Sequence, residues 1–341
     1  VPTPYFSVVV LNWNGRELLD ECLSSLRGQA FRDFEVVVVD NGSTDGSSEW
    51  LAAQTSDSLR PILLPENLGY AEGNNVGIRQ ARGRWIVLLN NDTVADPGWL
   101  SGISAAISRH PEAGMFTPKI LNFFRRDEID NTGHLIYPDG LARGHNRLEK
   151  DDGRFDAEVE AAWPSGCAGA YRRELLDEVG LLDESFFAYG EDVDLGLRAR
   201  WAGWGCWYVP DARVYHKYSS TTGSFTPRKA FLVERNRFWV LLKNFPMREI
   251  ALSPFATGWR YLMHLRAALS GRGAAGKMAG QHSIGQLFAT TLRAEIAAIA
   301  GTPRILRERR RLASTRRISA AQFRALIRQF RLTAAEVAMK E

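Results

Sequence analysis

Short runs of Val, Ile and Leu alternate with helical spacings of apolar residues through the first 120 positions. Residues 6–11 form one such run, broken by Asn12-Trp13-Asn14-Gly15, after which Leu18, Leu19, Cys22, Leu23 and Leu26 fall on one helix face. A second strand over 34–39 ends in Asp40-Asn41-Gly42-Ser43, and Trp50-Leu51 marks the next helix. Residues 62–64 give a third strand. The Gly/Asn-rich segment 67–77 leads into a helix reaching about Ala81, and a fourth strand over 86–89 ends in Asn90-Asn91-Asp92. This alternation predicts an α/β fold, an αβα sandwich around a mainly parallel sheet covered on both faces. Ligands of such sheets bind outside the carboxyl ends of the strands, and the ends at Asn12, Asp40 and Asp92 all carry polar side chains.

From about 112 to 165 the signals are short and mixed, read as strands and mobile loops. Small residues then crowd into Ser165-Gly166-Cys167-Ala168-Gly169-Ala170, as where backbone passes close to a ligand. Val193, Leu197 and Trp201 share a helix face, with Gly203 as its stop, and a strand-like stretch over 207–209 precedes Tyr215-His216. Beyond Pro227 the chain reads as mostly helical. Ser319 and Gln322 form a capping box ahead of a stripe of Phe323, Leu326, Ile327 and Phe330.

Composition, at 341 residues with 45% hydrophobic and 24% charged, is that of a globular chain rather than a disordered one. Three cysteines without CxxC spacing argue against a disulfide framework or zinc site and for a reducing, cytoplasmic setting. No apolar run is long enough to span a bilayer, and residues 1–5 do not begin a secretory signal. The net charge of +4 conceals a split: residues 1–227 hold 21 Lys and Arg against 33 Asp and Glu, whereas 228–341 hold 22 against 6. Arg307, Arg309, Arg310, Arg311, Arg316 and Arg317 cluster beside amphipathic helices. We expect this basic half to meet an anionic membrane surface or lipid phosphate, at the inner face of the cytoplasmic membrane, and not nucleic acid. A solvated helical surface or an oligomer interface would give the same pattern.

The chemistry lies in two carboxylate clusters. Asp92, closing a buried strand, can offer an oxygen to Mg²⁺ or Mn²⁺ beside a substrate diphosphate, and Asn90 at most a neutral one. Glu191, Asp192 and Asp194 open a helix whose dipole favours an ionised base; plain N-terminal capping uses the same residues. Asp40 could accept the imide N–H of a pyrimidine, or close a turn. His216 reads as structural or as a further ligand.

Together these segments resemble the family 2 inverting glycosyltransferases, in particular their rhamnosyltransferase-like branch, in order over about residues 5–245. The resemblance implies a GT-A fold: a catalytic domain over 1–245, with about 5–120 binding the nucleotide-sugar and about 120–245 carrying the acceptor side and the base, followed by a basic helical region over 246–341. It implies Asp192 as catalytic base; Asn12, Asp40, Asn41, Gly73, Asn74 and Asn91 around the donor; Glu191, Ser165, Gly166 and Cys167 on the acceptor side; and Asp92, His216 and Asn90 toward a divalent metal. The family's DxD pattern has Asn at position 90 here, one charged ligand fewer. The implied reaction moves a sugar, rhamnose from dTDP-rhamnose as the branch suggests, to a hydroxyl of a glycan or lipid-linked glycan. A nucleotidyltransferase is the competing enzyme class; it would need a phosphate-gripping Gly-rich loop with Lys or Arg near the first strand, which is absent. A noncatalytic nucleotide- or glycan-binding module is the other alternative.

Overall fold

The computed structural model describes residues 3–54, 59–218, 226–271, 276 and 283–339. Strands β1 (Phe6–Asn12), β2 (Phe34–Asn41), β3 (Leu59–Leu64) and β4 (Trp85–Asn90) run parallel in the order β4-β1-β2-β3, with helices α1 (Arg16–Arg27), α2 (Ser47–Ala52) and α3 (Gly69–Gln80) as crossovers. Their continuous apolar runs reflect burial of both faces. Val8 and Val10 point into one core with Leu19 and Leu23 of α1, while Val9 points into the other.

The glycine-rich segment is itself helix: α3 begins at Gly69, where the sequence suggested a loop. The glycines let the helix lie close on the sheet. A Cβ on Gly73 would meet Leu11 Cδ1 at 2.6 Å, and one on Gly77 would meet Val9 Cγ1 at 2.4 Å.

After β5 (Thr93–Ala95) and α4 (Trp99–Arg109), the sheet continues through β6 (Ala113–Asn122), then β7 (Ile129–Asn131), which pairs with β6. The hairpin β8 (His134–Ile136) and β9 (Ala142–Gly144) stands apart, and β10 (Val159–Glu160) forms the edge. The short strand β11 (Ala170–Arg172) is inserted antiparallel between β4 and β6, so residues 167–169 run alongside the carboxyl end of β4, where Leu88 N–H donates to Gly169 and Asn90 N–H to Cys167. Helix α5 (Arg173–Val179) leads to α6 (Glu191–Trp201). Strand β12 (Gly205–His216) pairs with β5 and β6, setting His216 opposite Thr93. Thus His216 ends a long strand next to Asp92 rather than following a short one.

Helices α7 (Pro227–Asn244), α8 (Met247–Leu269) and α9 (Ile284–Arg311) complete the described chain with Ala320–Gln329 and Ala334–Met339. The Ser319–Gln322 capping box is present. Its stripe packs inward: Phe323 stacks on Trp201 of α6 at 4.1 Å, and Ile327 and Phe330 share the core with Trp163 and Phe245. Two of the clustered arginines also turn inward. Arg309 donates to the carbonyls of Leu242 and Phe245 at 2.7 Å and Arg316 lies over Trp201, whereas Arg317 stays exposed and pairs with Glu178. No described helix is long and apolar enough to cross a membrane.

Candidate active site

The ends of β1, β2 and β4 meet through side chains. Asn12 donates to Asp40 Oδ1 at 2.9 Å, and Asn91 donates to Asn12 Oδ1 at 2.7 Å. Asp40 is fully buried and also accepts from Ser43 Oγ at 2.6 Å and Ser48 Oγ at 2.5 Å. Both hydroxyls can rotate away from an incoming donor, so Asp40 keeps the acceptor capacity a base would need. Asn41 has a different task. It donates to the Gly69 carbonyl at 3.1 Å and accepts from Leu68 N–H at 2.9 Å, clamping the start of α3. Gly73 and Asn74 lie within α3; Asn74 donates to the Tyr70 carbonyl at 2.9 Å.

At the end of β4, Asp92 Oδ1 lies 3.3 Å from His216 Nε2. The other imidazole nitrogen meets Asp130 Oδ2 at 2.7 Å, and Arg147 pairs with the remaining oxygen of Asp130. Burial alone would lower the affinity of His216 for a proton. Cys167, Asp130 and Asp92 outweigh burial and hold the imidazole well above its usual range. Asp130 behind Nδ1 fixes the ring, and a metal at Nε2 would take the place of the proton held there, since only a neutral imidazole ligates. One oxygen and one nitrogen suit a cation whose remaining positions go to diphosphate oxygens and water. The donor set therefore fits, although among the described residues no three or more acidic, His or Cys side chains form a closed metal cage.

Three carboxylates open α6, and the fold separates them. Asp194 is fully buried, accepting from Arg198 Nε at 2.8 Å, Lys243 Nζ at 2.9 Å and Asn244 Nδ2 at 2.9 Å. Glu191 is buried too, with Oε2 lacking any hydrogen-bond partner among the described residues. Asp192 alone of the three is part-exposed; its Oδ2 accepts from Gly166 N–H at 2.9 Å and lies 4.0 Å from His134 Nε2.

The helix dipole was expected to keep this cluster ionised, but at Glu191 burial wins. Burial first, then the carboxylates of Asp192 and Asp194, push its pKa well above the usual range. The folded state thus holds a proton that the unfolded chain releases, so this group's effect on stability becomes less favourable as pH rises above the ordinary carboxyl range. We predict that Glu191→Gln melts higher than the parent at pH 8, with the gap closing toward pH 5. Parallel melting curves across that range would contradict the assignment.

Residues 165–167 join the two clusters. Gly166 N–H donates to Asp192, and the Cys167 carbonyl accepts from Asn90 N–H at 2.9 Å. Ser165 Oγ braces the turn by accepting from Cys167 N–H at 3.2 Å. Tyr70 of α3 donates to the Gly166 carbonyl at 2.6 Å.

The turn before α6 is strained, with φ of 64° at Phe187 and 69° at Tyr189. Asn236 of α7 holds it, donating to the carbonyls of Phe186, Ala188 and Tyr189 at 3.0, 2.8 and 2.6 Å. Sequence reasoning missed Asp130, His134, Tyr70 and Asn236. Only Asn236 left a trace, as a polar residue within a helical stretch.

A parallel sheet with polar strand ends, facing a carboxylate at a helix start across a short bridging loop, defines a nucleotide-sugar glycosyltransferase of GT-A type. The family model for glycosyl transferase family 2 matches residues 7–180, and this chain belongs to that family. It is similar to the N-acetylglucosaminyl-diphospho-decaprenol L-rhamnosyltransferase of Mycobacterium tuberculosis, at 31% identity over 65% of this chain and 78% of the relative. That makes it rhamnosyltransferase-like. Two solved structures share the fold at 17% identity. One is GalNAc-T7 with UDP, GalNAc and Mn²⁺ (TM-score 0.61, covering 73% of this chain and 49% of that one). The other is the mannosyltransferase PcManGT of Pyrobaculum calidifontis with GDP-Man and Mn²⁺ (TM-score 0.52, covering 88% and 87%).

Proposed function

We propose that the chain is a metal-dependent inverting glycosyltransferase that moves rhamnose from dTDP-rhamnose to a hydroxyl of a lipid-diphosphate-linked glycan, working at the inner face of the cytoplasmic membrane. One observation carries the chemistry: Asp192, the accessible carboxylate of its helix, is tied through Gly166 and Cys167 to Asn90 at the opposite cluster. A base and a diphosphate site are thereby held by two consecutive residues. The sugar and the lipid-linked acceptor are supported by the mycobacterial relative, whose name records a rhamnosyl transfer onto such a lipid.

In this reading Asn12, Asp40 and Asn91 line the nucleoside, with Asn41, Gly73 and Asn74 shaping the wall behind it. Asp192 takes the proton of the acceptor hydroxyl as that oxygen attacks the anomeric carbon. The new C–O bond forms opposite the departing nucleoside diphosphate, so the configuration inverts. Glu191, retaining its proton, holds an acceptor oxygen beside the Ser165–Cys167 turn. A divalent cation held by Asp92 and His216, with Asn90 alongside, would supply positive charge at the leaving diphosphate. Functionally, residues 1–245 carry this chemistry and residues 246–341 carry membrane contact.

Asp130 supplies a test independent of turnover. Asp130→Ala is expected to weaken Mn²⁺-dependent binding of dTDP by about 10–100-fold, the range for removing a partner behind a ligating histidine. Calorimetry without metal should show binding unchanged. Equal metal-dependent affinity in both proteins would remove the metal from this site.

A further inference from the structure

Helix α8 is inside-out. Its inward face carries Arg260, which is 2% exposed and bonds Asp139 at 2.6 Å and Glu234 at 2.7 Å, and Tyr261, whose hydroxyl donates to Glu234 at 2.5 Å. Its outward face carries Leu252, Phe255, Trp259, Leu262, Leu265 and Leu269, spaced three or four residues apart, with Phe255 80% and Leu269 81% exposed. Helix α9 repeats the arrangement. Glu295 turns inward to Arg237 and Tyr261, whereas Phe288, Leu292, Ile296 and Ile299 face outward, each at least half exposed. The polar residues of both helices thus converge on one ionic cluster with α7, and both apolar faces turn away from it. Soluble helices do the opposite, and exposed rows of large apolar side chains such as these mark an interaction site.

The charges around these faces identify what covers them. Arg248 and Arg266 are exposed on α8, and Arg293, Arg307 and Arg310 on α9. Only Glu249, Glu295 and Glu308 oppose them on these two helices, and each is turned at least partly inward. A second copy of the chain, meeting these faces through a twofold, would set arginines against arginines. An anionic bilayer accepts both components: its acyl boundary takes the apolar side chains and its headgroups take the guanidiniums. We propose that the outward faces of α8 and α9 insert into the interface of an anionic membrane, lying in its plane. The contact is therefore centred on apolar insertion, with arginines in support, rather than on the 307–317 basic cluster. This deepens the membrane half of the proposed function and rests on it, while remaining separable from the donor chemistry because its readout is vesicle binding.

The test uses the full chain and extruded vesicles of phosphatidylcholine with 30 mol % phosphatidylglycerol, beside vesicles of phosphatidylcholine alone, in co-sedimentation at low and high salt. The wild type should sediment with the anionic vesicles and retain part of that binding at high salt. The double variant F255D/W259D alters two exposed positions and should keep wild-type dTDP affinity as its measure of folding. Its partitioning should fall by at least about tenfold, since each buried methylene contributes to interfacial binding. Wild type that stays in the supernatant at low salt, or a double variant that partitions like the wild type, overturns the proposal. A wild-type dimer that the double variant converts to monomer, with no vesicle binding by either, overturns it in favour of self-association. Loss of dTDP binding by the wild type would count against the donor reading and leave the vesicle result intact.

Discussion

Asp192→Asn should bind dTDP with unchanged affinity and lose about 10²–10⁴-fold in turnover, the contribution usual for a general base. The substitution keeps the size of the side chain and one acceptor oxygen, which can serve the Gly166 N–H bond of 2.9 Å while the Val193 N–H bond of 2.8 Å to the other oxygen is given up. It removes the negative charge and the proton acceptor. The proposed donor site lies at the ends of β1, β2 and β4, and among the described residues its side chains share no hydrogen bond with Asp192, so a fall in dTDP affinity would signal a distorted site. Separating the two effects requires dTDP titration and initial rates on the same preparation. Turnover within about threefold of wild type, far outside the range expected for losing a general base, would exclude Asp192 from the role.

Two residues along the same helix, the expected consequence is structural. Asp194→Ala should destabilise the fold by about 3–5 kcal/mol, the cost of leaving buried charge without its partner. Asp194 is fully buried and receives Arg198, Lys243 and Asn244. Arg198 retains the carbonyls of Val179, Gly180 and Leu181, and Lys243 retains Asp183 at 2.6 Å, but neither set restores the lost negative charge. A typical domain is stable by only about 5–15 kcal/mol, so urea denaturation should show a large drop in midpoint. A shift below about 1 kcal/mol would mean that the cluster contributes little to stability. The contrast between Asp192 and Asp194 follows from helix geometry, because residues two apart face different sides.

The parallel strands were legible in the sequence because burial on both faces leaves uninterrupted Val, Ile and Leu runs. Their polar ends were legible for the same reason: Asn12, Asp40 and Asp92 each interrupt such a run. The start of α3 was not, since glycines at 69, 73 and 77 read as a loop, while in the fold Gly73 and Gly77 serve close approach to Leu11 and Val9. Asp130 was invisible because its strand is three residues long and its meaning depends on His216, 86 positions away. The acidic triplet at α6 was found, but only the family resemblance told Asp192 from Glu191; packing supplies the physical reason, with Asp194 enclosed by cations, Glu191 buried and Asp192 accessible. The stripe at Phe323–Phe330 was legible as amphipathic, yet only the structure shows that it faces the core whereas the apolar faces of α8 and α9 face out.

The most direct measurement is the anomeric configuration of the product formed from dTDP-rhamnose and a lipid-diphosphate-linked glycan in the presence of Mn²⁺, read by NMR together with the dTDP released. The geometry predicts one dTDP per glycan modified and inversion at the anomeric carbon, as a single displacement assisted by Asp192 requires. Retention of configuration, or dTDP binding without any transfer to the glycan, would contradict it.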